Sequence, residues 1–169
     1  MYYTGLKPET HKKGKIIVHK ERLLEIPIDE IKEPLKEICR TLQEIPCPEY
    51  NFVGYKGKSA YHNAFEHVGN FVFVTLDIKD FYHNSNVRFV RKFLKEELCI
   101  SNTNLDDLIR ILTFKGHIPT GSPTSTILAF LTHKRIFDEI YKYTKSLDIK
   151  FTSTSDVSPI QRPIIILTS

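Results

Sequence analysis

The stretch that decides the fold is Phe73-Val-Thr-Leu-Asp-Ile-Lys-Asp-Phe-Tyr82. With Phe71 and Val72 ahead of it, it opens as a nearly continuous run of aromatic and β-branched residues. Such a run predicts a central strand covered on both faces. Asp77 closes the strand, Asp80 follows, and the bulky pair Phe81 and Tyr82 stands just beyond. Positions three apart in an extended strand face opposite ways, so the two acids are not expected to share one site. One can point into a cleft while the other caps the turn or the helix that follows. Further on, Ile118-Pro-Thr-Gly-Ser-Pro-Thr-Ser125 is a turn-rich loop entering a helix. There Ser122 suits the N-cap and Pro123 the first helical position.

Working outward, Lys15 to His19 predicts a short strand after a Lys-Gly turn. Leu35, Ile38, Leu42 and Ile45 recur at helical spacing from Pro34 to Ile45, and Pro46 and Pro48 stop that helix. Asn51 to Ser59, with Gly54, Lys56, Gly57 and Lys58, predicts a loop. Tyr61 to Val68 predicts a short helix ended by Gly69-Asn70. Asn84, Ser85 and Asn86 are turn and capping residues before a helix marked by Val87, Val90, Phe93, Leu94 and Leu98. Leu105 to Leu112 is a further helix capped by Asn102 or Asn104. Thr124 to Leu147 carries one long apolar stripe of Ile127, Leu131, Phe137 and Tyr141. Asp148 to Thr152 predicts another strand. This irregular alternation favours an α+β domain over a doubly wound one, and no internal repeat is present.

Composition sets broad limits. The 169 residues suit one domain, and 41% hydrophobic with 26% charged residues is ordinary for a soluble globular chain. No apolar run is long enough for a bilayer and the N-terminus lacks a signal-peptide pattern, so no membrane partner and a cytoplasmic location are expected. Cys39, Cys47 and Cys99 lack the Cys-x-x-Cys spacing of zinc or redox sites and read as buried free thiols. The seven histidines are scattered; His62 and His67 come closest to a pair without sharing a helix face, and no zinc site is evident. A net charge of +4 permits nucleic-acid binding without demanding it. The basic residues concentrate in His11 to Arg22 and in Val87 to Lys95.

The Asp77 stretch resembles the first carboxylate motif of reverse transcriptases, above all those of bacterial retrons, group II introns and phage-defence systems. Pro119-Thr-Gly-Ser-Pro-Thr-Ser125 resembles the family's second motif, usually Pro-Gln-Gly-Ser-Pro, with Thr120 in place of the glutamine. Asn51 to Gly69 looks like the fingers segment, in which Gly-x-Ser precedes Asn-Ala and His. The resemblance covers about residues 11 to 152. It implies a right-hand polymerase fold, with residues 1–70 fingers-like, 71–152 palm-like and 153–169 an atypical tail. The implied activity is RNA-directed DNA synthesis, in which two Mg²⁺ ions, or Mn²⁺ in their place, assist an in-line nucleotidyl transfer.

Carried over residue by residue, Asp77 is a metal ligand and Ile78 lends its backbone carbonyl. Tyr82, with Phe81 beside it, is the aromatic gate under the nucleotide sugar. Gly121, Ser122 and Thr120 border the incoming nucleotide, and Lys15 and Lys58 bind triphosphate or template backbone. The implied partners are an RNA template with a DNA primer, or their hybrid, and deoxynucleoside triphosphates.

The third motif, aromatic-x-Asp-Asp, is altered to Thr154-Ser-Asp-Val157. Asp156 falls on the first aspartate, as a second catalytic acid and metal ligand or as a turn residue. Pro159 and Pro163 disfavour a hydrogen-bonded returning strand, which leaves Ile164 to Leu167 as an edge strand or exposed. Nothing after Ser169 supplies a primer grip or thumb, so the expectation is a truncated form with impaired or no activity alone. A second polypeptide could supply the missing parts. Two other readings stay open: a non-catalytic nucleic-acid-binding or assembly module, and an inactive gene remnant.

Overall fold

The structure, a computed structural model, describes residues 1–13, 16–155 and 163–168, with the side chains of 6–23, 155 and 163–165 left aside. Helices and sheets are mixed, so the expectation of an α+β chain is met at that level.

Two long strands, β1 (Tyr2–Lys13) and β2 (Ile16–Pro27), form an antiparallel hairpin in which Tyr2 pairs with Pro27 and Lys13 with Ile16. The sequence showed only a fragment of this hairpin, because polar residues break its alternation. Its base is fixed to the rest of the chain. Tyr2 is buried, its ring lies 5.6 Å from that of Phe114, and its hydroxyl donates to the Ile111 carbonyl at 2.6 Å.

Helix α1 (Asp29–Gln43) begins a full turn before the predicted start and carries Pro34 inside it. Acidic Asp29 and Glu30 in its first turn favour that earlier start, since they face the positive end of the helix dipole. Helix α2 (Ala60–Glu66) starts at Ser59, whose hydroxyl accepts from the His62 N–H. Strand β3 (Phe73–Asp77) is followed by the one-turn helix α3 (Phe81–Asn84) and by α4 (Val87–Lys92). Asn86 caps α4 by accepting from the Arg88 N–H at 3.0 Å, as its residue type suggested. A π-helical turn, Phe93–Glu97, continues α4 and shifts its register at Leu98. Helices α5 (Asn102–Leu112) and α6 (Ser125–Ser146) follow, then β4 (Lys150–Ser155) and β5 (Pro163–Thr168).

The second sheet has the order β3-β5-β4, with both pairings antiparallel. Two expectations are corrected here. The run Ile164 to Leu167 is neither an edge strand nor left over: it is the central strand, and Pro163 is tolerated because it is the first residue of the strand. The predicted central strand, β3, is instead an edge strand exposed along its whole length. Coverage is graded across the sheet. On β4, Phe151 packs between Tyr50 and Tyr141, while Thr152, Ser153 and Thr154 are also buried. The outer edge of β4 is closed by Tyr50 to Phe52, through Ser153 N–H to the Tyr50 carbonyl at 2.9 Å and Phe52 N–H to the Ser153 carbonyl at 2.8 Å.

The core lies where α6 meets α1, α4 and β4, with α5 packed on α1 and α4. Ile127, Leu128, Phe130, Leu131 and Phe137 of α6 pack against Leu35, Leu42, Val90, Leu94 and Leu105. Phe130 stacks on Phe137 at 5.5 Å and meets the Tyr50 and Tyr55 rings edge-on. Among the described residues no helix is long and apolar enough to cross a membrane.

Candidate functional site

Three segments converge beside the end of β3: the turn after it, the loop before α6, and the base of β2. Asp77 is the last residue of β3, solvent-exposed, and pairs in register with Ile164. Because β5 runs antiparallel to both neighbours, β3 and β4 are parallel and end on the same edge of the sheet. Asp77 therefore stands at the edge where β4 ends with Ser155 and β5 begins with Pro163. Asp156 and Lys15 lie outside the described residues.

Ile78 is half-buried against the core. Asp80 holds the N-cap position of α3 with a left-handed backbone (φ 49°) and makes no side-chain cap bond. Phe81 and Tyr82 are both buried. Phe81 packs on His133 and Phe137, and the Tyr82 hydroxyl lies 3.2 Å from that of Thr126. The aromatic pair thus locks the end of β3 onto α6.

The loop before α6 is tied to β2. Glu25 N–H donates to Thr120 Oγ1 at 3.2 Å, and Gly121 N–H donates to the Glu25 carbonyl at 3.1 Å. A Cβ on Gly121 would sit 2.8 Å from that same carbonyl oxygen, so glycine is required by the close approach of two backbones. The partner in that approach is β2. Ser122 is not the N-cap of α6: that position falls to Thr124, whose hydroxyl pairs with Ser122 Oγ at 3.0 Å. Lys58, well away in sequence, places its ammonium 4.6 Å from the Phe52 ring centroid, a cation–π contact.

The same convergence gathers a group that sequence spacing could not reveal. Glu25 on β2, His83 at the end of α3 and His117 before the loop hold their ligand atoms within 4.8 Å of one another. His117 Nε2 lies 3.0 Å from both Glu25 carboxylate oxygens, and the His83 and His117 rings stack at 4.3 Å and 22°. The one sequence signal was adjacency: His83 directly follows Tyr82, and His117 directly precedes Ile118.

The cysteines offer no rival centre. Cys39 and Cys47 are half-buried and Cys99 is exposed, which corrects the expectation of three buried thiols. Burial pushes the Cys39 and Cys47 thiols above their ordinary range, away from reactive thiolate.

No protein-family model matches the chain.

Proposed function

We propose that the chain is the fingers-and-palm portion of a reverse-transcriptase-type polymerase, acting in the cytoplasm on an RNA template with a DNA primer and deoxynucleoside triphosphates. The observation that carries this reading is the sheet edge. Asp77 ends β3 where the β4–β5 connection, which contains Asp156, also begins and ends. This strand order supports the reading that the first and third motifs meet at one end of the sheet.

The described donors at this edge are the Asp77 carboxylate and the Ile78 carbonyl. Both are hard oxygens that fit Mg²⁺, which takes one or two carboxylates and leaves its other positions to water and phosphate. The chemistry supplied by magnesium when bound is electrostatic relief at the transferring phosphoryl group. The chain's own part is positioning. Pairing with β5 fixes the Asp77 backbone, and buried Phe81 and Tyr82 hold the turn after it against α6. Thr154 and Val157 in place of the motif's aromatic residue and second aspartate make turnover slow in this reading.

A primer-extension assay with Mg²⁺ and labelled nucleotides tests it, alongside salt-dependent binding of an RNA–DNA hybrid. Nucleotide addition should fall on the order of 10²–10³-fold in Asp77→Asn, by analogy with loss of one electrostatic donor, while hybrid binding persists. Incorporation that survives the substitution sinks the site assignment.

A non-catalytic nucleic-acid-binding module is the second reading. It is favoured by the internal engagement of Tyr82 with Thr126 and of Gly121 with Glu25. Hybrid binding with no addition in either protein would select it.

A further inference from the structure

We propose that Glu25, His83 and His117 form a site for a single transition-metal ion of the zinc class, independent of the magnesium-dependent chemistry inferred above. Two imidazoles and one carboxylate are the donors that suit Zn²⁺, Co²⁺ or Ni²⁺, whereas Mg²⁺ and Ca²⁺ prefer all-oxygen sets. Three protein ligands leave a fourth tetrahedral position for water.

The geometry is close to what such an ion needs. Two bonds of about 2.0–2.1 Å meeting at a tetrahedral angle put their ligand atoms roughly 3.3 Å apart. His117 Nε2 already lies 3.0 Å from the Glu25 oxygens. His83 is the exposed member, stacked on His117, and its ligand nitrogen lies within 4.8 Å of the ligand atoms of the other two. That exposure also opens the fourth position to solvent. Glu25 and His117 form the inner wall, with side chains only 6% and 13% exposed.

The backbone beneath the three ligands is built in advance. Glu25 is held on both sides by Thr120 and Gly121. His117 exchanges backbone hydrogen bonds with Phe114, at 2.9 and 3.1 Å. On either side of it, Val87 N–H donates to the Gly116 carbonyl at 2.9 Å and Ile118 N–H to the Ser85 carbonyl at 3.1 Å, which ties this strand to the turn after His83. A buried carboxylate demands a compensating charge, and a metal ion supplies more of it than one imidazole does. An ion here joins the β1–β2 hairpin, the end of the Asp77 motif and the loop before α6 at one point, so it acts as a clamp between three segments distant in sequence.

The test uses the full chain, stripped with chelator and titrated with Co²⁺ and, separately, with Zn²⁺. The expected result is one ion per chain, tetrahedral visible absorption with Co²⁺, and a melting temperature that rises with Zn²⁺. His83→Ala, an exposed change, and His117→Ala should each weaken binding by at least on the order of tenfold, the low end of what loss of a mere supporting group costs. Circular dichroism of His83→Ala without metal checks that its fold is intact. No binding by the native chain overturns the proposal, as does affinity unchanged in His83→Ala. A thiolate-to-cobalt charge-transfer band overturns it too, because the ion would then be on cysteine.

Discussion

His67 Nδ1 lies 2.8 Å from the Thr168 hydroxyl, and the other ring nitrogen lies 2.7 Å from the hydroxyl of Thr152. One imidazole thus joins the central strand β5 to β4 across the face covered by α2. A neutral ring can serve both hydroxyls, donating from one nitrogen and accepting at the other. Burial, with Lys150 nearby, pushes His67 below the ordinary histidine range, and burial alone does the same to His133.

The pH dependence follows from the direction of these shifts. A histidine whose folded value is depressed gives stability that is full above its ordinary value and lost as pH falls toward the folded one. Between about pH 7.5 and about pH 5, on either side of the ordinary value near 6.5, the melting temperature should drop. His67→Gln should flatten that slope. A native melting curve indifferent to pH in this window would remove the account. Asp29 and Glu33, held below the usual carboxylate range chiefly by hydrogen bonds from Lys32 and Lys36, act only at lower pH.

Tyr50 and Tyr55 give opposite expectations. The Tyr50 hydroxyl donates to Asp138 Oδ1 at 2.7 Å, while the Tyr55 hydroxyl is buried with no hydrogen-bond partner among the described residues. Burial pushes the Tyr55 phenol up to about 12. Tyr55→Phe should raise stability by up to about 1 kcal/mol, since it removes an unmet desolvation cost. Tyr50→Phe should lower it by about 1–2 kcal/mol, reduced because Asp138 keeps Lys134 and partial solvent access. Chemical denaturation of both variants decides the matter; equal effects would contradict it.

Two glycines are set by backbone approach. An alanine Cβ at Gly54 would meet the Ile127 Cα at 2.9 Å, on a residue already at φ +75°. Gly54→Ala should cost about 2–4 kcal/mol, combining left-handed strain with overpacking. Gly121→Ala has no positive φ and should cost about 1–3 kcal/mol through its clash with Glu25. If Gly121→Ala proves neutral in denaturation, the tie between β2 and the loop is looser than described.

The open edge of the sheet predicts association behaviour. Phe71, Val72, Phe73, Val74 and Leu76 are all exposed, and Tyr61, Phe65 and Val68 of the neighbouring α2 region join them. Exposed apolar side chains along a strand that, among the described residues, is paired on one side only favour aggregation and dye binding. The chain should scatter light increasingly with concentration and bind an apolar fluorophore. Phe71→Ser with Phe73→Ser should reduce both without lowering the melting temperature.

What the sequence made legible was whatever depends on local period or on punctuation. The helices around Leu105 and Ile127, the Asn86 cap and the turn at Gly69 follow from spacing and capping chemistry. Strand environment was not legible. Phe71 to Leu76 has the letters of a strand covered on both faces, yet coverage depends on what packs there, and the described residues leave this stretch exposed. The tail misled in the other direction, because two prolines outweighed Ile164 to Leu167 until Pro163 proved to be a strand's first residue. For the candidate site, Asp77 and the loop at Gly121 were visible as motifs. Glu25, His83 and His117 were not, since their proximity is made by a hairpin and two turns far apart in the chain.

The sheet order carries a kinetic consequence. Among the described residues β3 does not pair with β4; its strand partner is β5, which is made after both. During synthesis β3 must therefore wait, unpaired, through all of α3 to α6 and β4 before its neighbour exists. Helices α1, α5 and α6 can form meanwhile from local contacts, while the non-local sheet pays its loop-closure entropy last. The end of the molecule that carries Asp77 is accordingly the last to become native.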